Sequence, residues 1–197
     1  MNRLRSWISL AFVLAVLHQV GYAEKHIVVT ESMGSNALSG SVNRTIVEPL
    51  SLAIHLESFE TLTLSSEWSI RGSYYLDDQR LGRFALGYGR MFYLSNIGRA
   101  ESKSDASRTW RETEPVSYGV HLGVEAGRQV LRSFPDLGYT EAVAEFLGVR
   151  VGGRVIANLS EKYAPMLTFS VCYNRGFGRF AFDGLVIEAG LGISFPW

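Results

Sequence analysis

Thr61-Leu62-Thr63-Leu64-Ser65-Ser66-Glu67-Trp68-Ser69-Ile70-Arg71-Gly72-Ser73-Tyr74-Tyr75 is the stretch whose reading decides the fold. From Thr61 to Ser73 the odd positions carry only Thr, Ser, Glu and Arg, while the even positions are dominated by Leu, Trp, Ile and Tyr. Period two belongs to a β-strand, because successive side chains point to opposite faces. The run is much longer than the roughly five or six residues of an ordinary strand. One face suits hydrocarbon and the other an enclosed polar interior, the pattern of a tilted strand that crosses a bilayer.

The same alternation recurs on both sides of this stretch. Upstream, Leu50, Leu52, Ile54 and Leu56 alternate with Ser51, Ala53, His55 and Glu57, and Pro49 divides this strand from whatever precedes it. Downstream, Asp77-Asp78-Gln79 makes a turn, and Phe84, Leu86, Tyr88, Phe92 and Leu94 form an outward face against Ala85, Gly87 and Gly89. Arg90 interrupts that face, which places it at headgroup level or at a register error. Further strands follow with Val116 to Ala126, Val143 to Val155, Leu167 to Phe177 and Leu185 to Trp197 on their outward sides. That makes seven. Closure without a polar edge in lipid calls for an even number, so an eighth is expected between Ile27 and Val47, supplied by His26 to Thr30 or by Leu38 to Ile46. The segment 95–115 is charged and without period; it reads as a solvated loop ended by Pro115, with a short helix as the competing structure.

At the start of the chain, Arg3 and Arg5 precede an apolar run from Trp7 to Leu17, and Val20-Gly21-Tyr22-Ala23 ends in a small residue before Glu24. This is the layout of a cleavable secretory signal over residues 1–23, leaving 24–197 as one domain. The balance of 19 Lys plus Arg against 19 Asp plus Glu offers no electrostatic case for nucleic acid. Cys172 is the only cysteine, so the chain has no internal disulfide and no cysteine-based metal cluster.

The inward faces carry the unusual chemistry. Glu57, Glu67, Glu125 and Glu188 point at the same small volume as Arg71, Arg83, Arg150 and Arg154, and many of the 20 glycines share those faces. A narrow barrel has little room for water, so these ions are expected to pair in a packed polar interior. Aromatic residues at outward positions, among them Trp68, Tyr74, Phe92, Tyr118, Tyr173, Phe177 and Phe195, suit an interfacial girdle.

The terminal segment Gly190-Leu191-Gly192-Ile193-Ser194-Phe195-Pro196-Trp197 resembles the closing strand of bacterial outer-membrane β-barrel proteins. By that resemblance Phe195 and Trp197 would be the signal for the barrel-insertion machinery, although Pro196 departs from the usual ending. The exported part resembles the small eight-stranded group that includes the OmpA transmembrane domain and OmpX. The resemblance implies an all-β, eight-stranded antiparallel transmembrane barrel in the bacterial outer membrane. If both termini are periplasmic, the 95–115 segment falls on the periplasmic side, where short turns are the rule in that group.

Catalytic chemistry is weakly indicated. His55 shares a face with Glu57, and His121 with Glu125, while serines 51, 69, 73, 117 and 170 also point inward. A nucleophile acting on lipid must reach lipid, and these candidates face the lumen. The His-x-Ser spacing of barrel lipid A deacylases does not occur. His26, His55 and His121 are too scattered to suggest a metal, and Gly148-Val149-Arg150-Val151-Gly152-Gly153 lacks the phosphate-binding spacing. The sequence thus points to a structural or loop-displaying barrel without a cofactor, in contact with outer-membrane lipid and an extracellular or envelope ligand through Gly98 to Glu114, Arg132 to Tyr139 or Arg179 to Asp183. The alternatives are a narrow pore, a lipid-modifying barrel enzyme and a secreted lipocalin-like carrier.

Overall fold

A computed structural model describes residues 25–40, 44–60, 63–74, 81–94, 101–105, 108–112, 115–134, 139–158, 163–178 and 181–196. The signal-like segment 1–23, Thr61, Leu62, Tyr75 and Trp197 lie outside them. The strands are β1 Lys25–Gly40, β2 Arg44–Phe59, β3 Leu64–Tyr74, β4 Leu81–Tyr93, β5 Glu101–Asp105, β6 Arg108–Glu112, β7 Val116–Phe134, β8 Tyr139–Ala157, β9 Ala164–Phe177 and β10 Phe182–Pro196. Eight of them close into an antiparallel barrel in the order β1-β10-β9-β8-β7-β4-β3-β2, and β5 and β6 form a separate two-stranded sheet.

The eighth strand is β1, which runs through His26 to Thr30 and on to Gly40. Leu38 to Ile46 is therefore not a strand of its own: it spans the end of β1, the connection 41–43 and the start of β2. Pro49 does not divide two elements either. It sits inside β2, where the register with β1 jumps from Ser32↔Ser51 to Gly34↔Glu48, so two residues of β2 face one of β1. A bulge leaves its extra residue outside the ladder, which accommodates a residue with no N–H to donate. The 95–115 segment contains the β5–β6 hairpin, paired from Glu101↔Glu112 to Asp105↔Arg108, so it is neither a plain loop nor a helix.

The end of the barrel where β1 begins and β10 finishes is called the near end here. The hairpin β5–β6 lies in the connection between β4 and β7, on the near side. At the far end the β7–β8 ladder continues to Phe134↔Tyr139, whereas β4 pairs with β7 only as far as Gln129 and β9 pairs with β8 only from Glu145. Among the described residues, the two longest strands thus pair with each other beyond the last ladder partners of β4 and β9.

The outer surface is largely apolar through its middle, where Glu31 on β1 is an exposed exception. Val124, Leu147, Val149, Phe169, Ile187 and Leu191 are all at least half exposed. Water-soluble chains do not present a continuous belt of this kind; hydrocarbon does not penalise it. Aromatics border the belt, with Phe92, Tyr118, Tyr163 and Phe195 toward the near end and Tyr74, Phe84, Tyr173 and Phe177 toward the far end. Arg90 causes no register error: it stays in the ladder opposite Ser66 and pairs with Glu60 through both guanidinium nitrogens at the near rim. Beside it Ser66, on the outward side of β3, is buried.

Candidate functional site

The lumen is filled in layers. At the near end Val28, Phe59, Met91, Tyr93, Ile156 and Met166 pack across it from β1, β2, β4, β8 and β9. At the far end Leu38, Ile46, Ala85, Ala144, Phe146 and Phe182 do the same. Between these apolar plugs lie the ions, and all eight sequence-selected charges, Glu57, Glu67, Arg71, Arg83, Glu125, Arg150, Arg154 and Glu188, are at most 7 % exposed.

The far-side cluster is organised by Arg150. Its Nε and Nη2 reach Glu125 Oε2 at 3.0 and 2.9 Å, and its Nη1 donates to Glu188 Oε2 and Ser170 Oγ, both at 2.5 Å. Arg71 Nη1 also donates to Glu188 Oε2, at 2.7 Å, and Arg83 donates to Glu125. The Arg83 guanidinium lies 4.9 Å from the Phe146 ring, where a cation is favoured by the ring quadrupole. With its amide turned so that nitrogen faces Glu125 Oε1 (3.1 Å) and oxygen faces Arg83 Nη2 (3.0 Å), Asn174 satisfies both ions.

A charge outside the sequence-selected set joins this cluster. Glu48 is fully buried and accepts from Asn36 Nδ2 at 3.4 Å; Asn36 Nδ2 lies at the same distance from Gln129 Oε1. Matching is incomplete here: among the described residues Glu48 Oε2, Arg83 Nε and Nη1, Gln129 Nε2 and Asn36 Oδ1 have no hydrogen-bond partner.

The near-side cluster has one guanidinium. Arg154 donates to Glu67 through Nη2 and to Glu57 Oε2 through Nη1 at 3.3 Å. Glu57 also accepts from Ser65 and from the Tyr93 hydroxyl. His55 Nδ1 lies 2.7 Å from Glu67 Oε1, and its Nε2 lies 3.2 Å from Thr30 Oγ1. One neutral tautomer serves both contacts, with Nδ1–H donating to the carboxylate and the threonine hydroxyl donating to Nε2. His121 Nε2 stands 3.8 Å from Glu67 Oε1. Its ring occupies space that glycine leaves open, because a Cβ on Gly89 would come within 2.2 Å of His121 Nε2.

A cavity of about 50 Å³ lies between the clusters, bordered by His55, Glu67, Arg71, Arg150, Arg154 and Glu188. That is room for about three to five waters. Among the described residues no group of His, Cys, Asp and Glu has a metal-binding arrangement. Ser51 bonds Ser73 at 3.0 Å, and His26 Nδ1 meets Ser194 Oγ at 2.9 Å under the edge of Phe59. Both pairs face the lumen, away from lipid. Ions line the interior where a lipocalin-like carrier would need an apolar hollow. Of the closing-strand aromatics, Phe195 is exposed on the outer face at the near end.

The fold is that of a small outer-membrane β-barrel. Neisserial surface protein A aligns with a TM-score of 0.60 at 10% identity, covering 88% of this chain and 97% of that one. The N-terminal β-barrel domain of Pseudomonas aeruginosa OprF aligns at 0.52 with 10% identity, covering 89% and 99%. Ail, the attachment invasion locus protein of Yersinia pestis, aligns at 0.50 with 13% identity over the same shares. No protein-family model matches the chain, and no curated protein matches its sequence. At these identities the likeness speaks for architecture, and the lumen must be interpreted from its own residues.

Proposed function

We propose that this chain is a sealed, non-enzymatic barrel of the bacterial outer membrane that reinforces the envelope and holds its connecting segments for contact with a ligand. The observation that carries the reading is the stacking of an ion-paired core between two apolar plugs. Transmembrane ions would have to cross both plugs and break the buried pairs between them, and each step is costly. The segment Arg132 to Tyr139, reached from the extended far ends of β7 and β8, is the proposed contact surface, because strands carried past a rigid barrel hold a connecting segment out beyond the membrane. The β5–β6 hairpin within Gly98 to Glu114 is its counterpart at the near end, with Arg179 to Asp183 as a lesser element. Phe195 and Trp197 are proposed as the segment taken up by the barrel-insertion machinery.

Planar-bilayer recording tests the central point. The purified barrel is expected to insert and leave the current at that of the empty membrane. Stepwise, sustained conductance would replace this reading with a narrow pore. Placement in lipid is checked with nitroxides at Ile187 and Val149, which should be relaxed by lipid-soluble oxygen more than by aqueous nickel complexes.

A further inference from the structure

On the outer surface, among the described residues, charge is confined to the rims with one exception. Arg90 and Glu60 pair at the near end. Arg128 and Glu145 are ladder partners at the far end, as are Arg175 and Asp183. Glu31 belongs to neither rim. It sits on the outward side of β1, exposed, opposite Leu52 in the middle of β2 and Leu191 in β10. Its surroundings are Val29, Met33, Ile54, Ala189 and Ile193, all apolar. Neither a hydrogen bond nor an ion pair to its carboxylate exists within the described residues.

At that level the bilayer offers no water and no donor, so a lone carboxylate is penalised there. The donor has to come from another molecule inside the membrane. A carboxyl group that carries a proton both donates and accepts, so two copies of the same side chain can satisfy each other. In a membrane, copies with the same orientation are related by a twofold axis along the bilayer normal, which brings equal depths together. A residue at mid-depth on the axis therefore meets its own counterpart. The surface around it permits close approach: Ala189 and Ala37 are small, and Met33, 67 % exposed, is unbranched and adaptable.

We propose that the outward face of β1 is a homodimer interface within the bilayer, with the Glu31 carboxyls of two copies hydrogen-bonded across the twofold axis. The occupant is a second copy because the unsatisfied group is self-complementary. A partner contributing a cation would need a matching charge at mid-depth, and the outer charges of this chain are spent at its rims.

The inference rests on the membrane placement above, and one experiment separates the two. Donor- and acceptor-labelled barrels are mixed in phosphatidylcholine vesicles at high lipid-to-protein ratio, and energy transfer is followed for wild type, Glu31→Gln and Glu31→Leu. Wild type and Glu31→Gln, whose amide also donates and accepts, are expected to associate. Glu31→Leu should insert normally and associate about tenfold more weakly, through loss of the reciprocal side-chain hydrogen bonding in lipid. Met33→Cys should link to itself through a short bismaleimide, since Cys172 is buried. An inserted but monomeric wild type, or equal association of Glu31→Leu, overturns the dimer and leaves the barrel reading intact. Failure of the wild type and both Glu31 variants to insert overturns both.

Discussion

On the far side of the central cavity three carboxylates, Glu48, Glu125 and Glu188, meet three guanidiniums, Arg71, Arg83 and Arg150, whereas on the near side Glu57 and Glu67 share Arg154. The near-side carboxylates are also direct cross-strand partners, Glu57↔Glu67, a position where like charges repel. Histidine, serine and tyrosine make up the difference there, through His55, Ser65 and Tyr93. The two halves therefore use different means to keep carboxylates in a dry lumen. The far side shares each of Glu125 and Glu188 between two arginines; the near side depends on one arginine and several neutral donors.

The largest expected effect follows from that dependence. Arg154→Met leaves two facing carboxylates with no cation and should cost about 3–5 kcal/mol, the range for removing one partner of a buried ion pair. The urea midpoint of the barrel folded into lipid vesicles measures it. Adding Glu67→Gln should recover about 1–2 kcal/mol by removing the repulsion and one unmatched charge. Arg150→Met comes next at about 3 kcal/mol or less, because Glu125 keeps Arg83 and Glu188 keeps Arg71. Equal losses for Arg150→Met and Arg154→Met would break the distinction between a shared network and a single hub.

Much of this arrangement was legible in the residues, and the failures have identifiable physical causes. Strands with a clean alternation, such as Val116 to Ala126 against Ser117 to Gln129, carry their facing openly, and the buried Arg and Glu positions of β3, β4, β7, β8 and β10 follow from it. Glu48 did not follow, because the bulge at Pro49 shifts parity. After it the odd positions Ser51, Ala53, His55 and Glu57 are inward; before it the even positions Ile46 and Glu48 are. Extending the downstream phase backwards sends Glu48 outward. β1 was obscured by its own chemistry, since Glu31, Ser35 and Ser39 on the outward side erase the apolar face by which the other strands are recognised. The β5–β6 hairpin is a sheet of its own and not a stave of the barrel, so it had no reason to carry the alternation that betrays a spanning strand. The plugs were hidden for another reason: Phe59 with Met91 and Leu38 with Phe182 come together only when distant strands close.

The plugs provide a smaller perturbation against which the ionic effects can be scaled. Ile156→Val removes one methylene from the near-end plug and should cost about 1 kcal/mol. The same unfolding measurement reads it, and bilayer current should stay at baseline because Phe59, Met91 and Tyr93 still cross the lumen. Current appearing in this variant would show that the near-end plug, not the ion network, is the sole barrier.

The smallest effect is expected at Glu48 and bears most directly on the comparison. Counting charges makes the far side three against three, but bonding does not treat its carboxylates alike. Glu125 and Glu188 each accept from two arginines at short range; among the described residues Glu48 takes its hydrogen bonds from neutral groups, Asn36 at 3.4 Å and the Ser73 hydroxyl, and from no arginine. Glu48→Gln removes a charge that no arginine hydrogen-bonds among the described residues and keeps a carbonyl oxygen to accept from Asn36. The lost attraction toward Arg83 and the relieved burial of an ion oppose each other, so stability should change by less than about 1 kcal/mol. A loss as large as that of Arg150→Met would make Glu48 a full member of the network and Arg83 dependent on it. A change near zero would leave Glu125 and Glu188 against Arg71, Arg83 and Arg150, an excess of one cation on the far side opposite an excess of one carboxylate on the near side. The lumen would then be balanced only as a whole, across the cavity that separates its two halves.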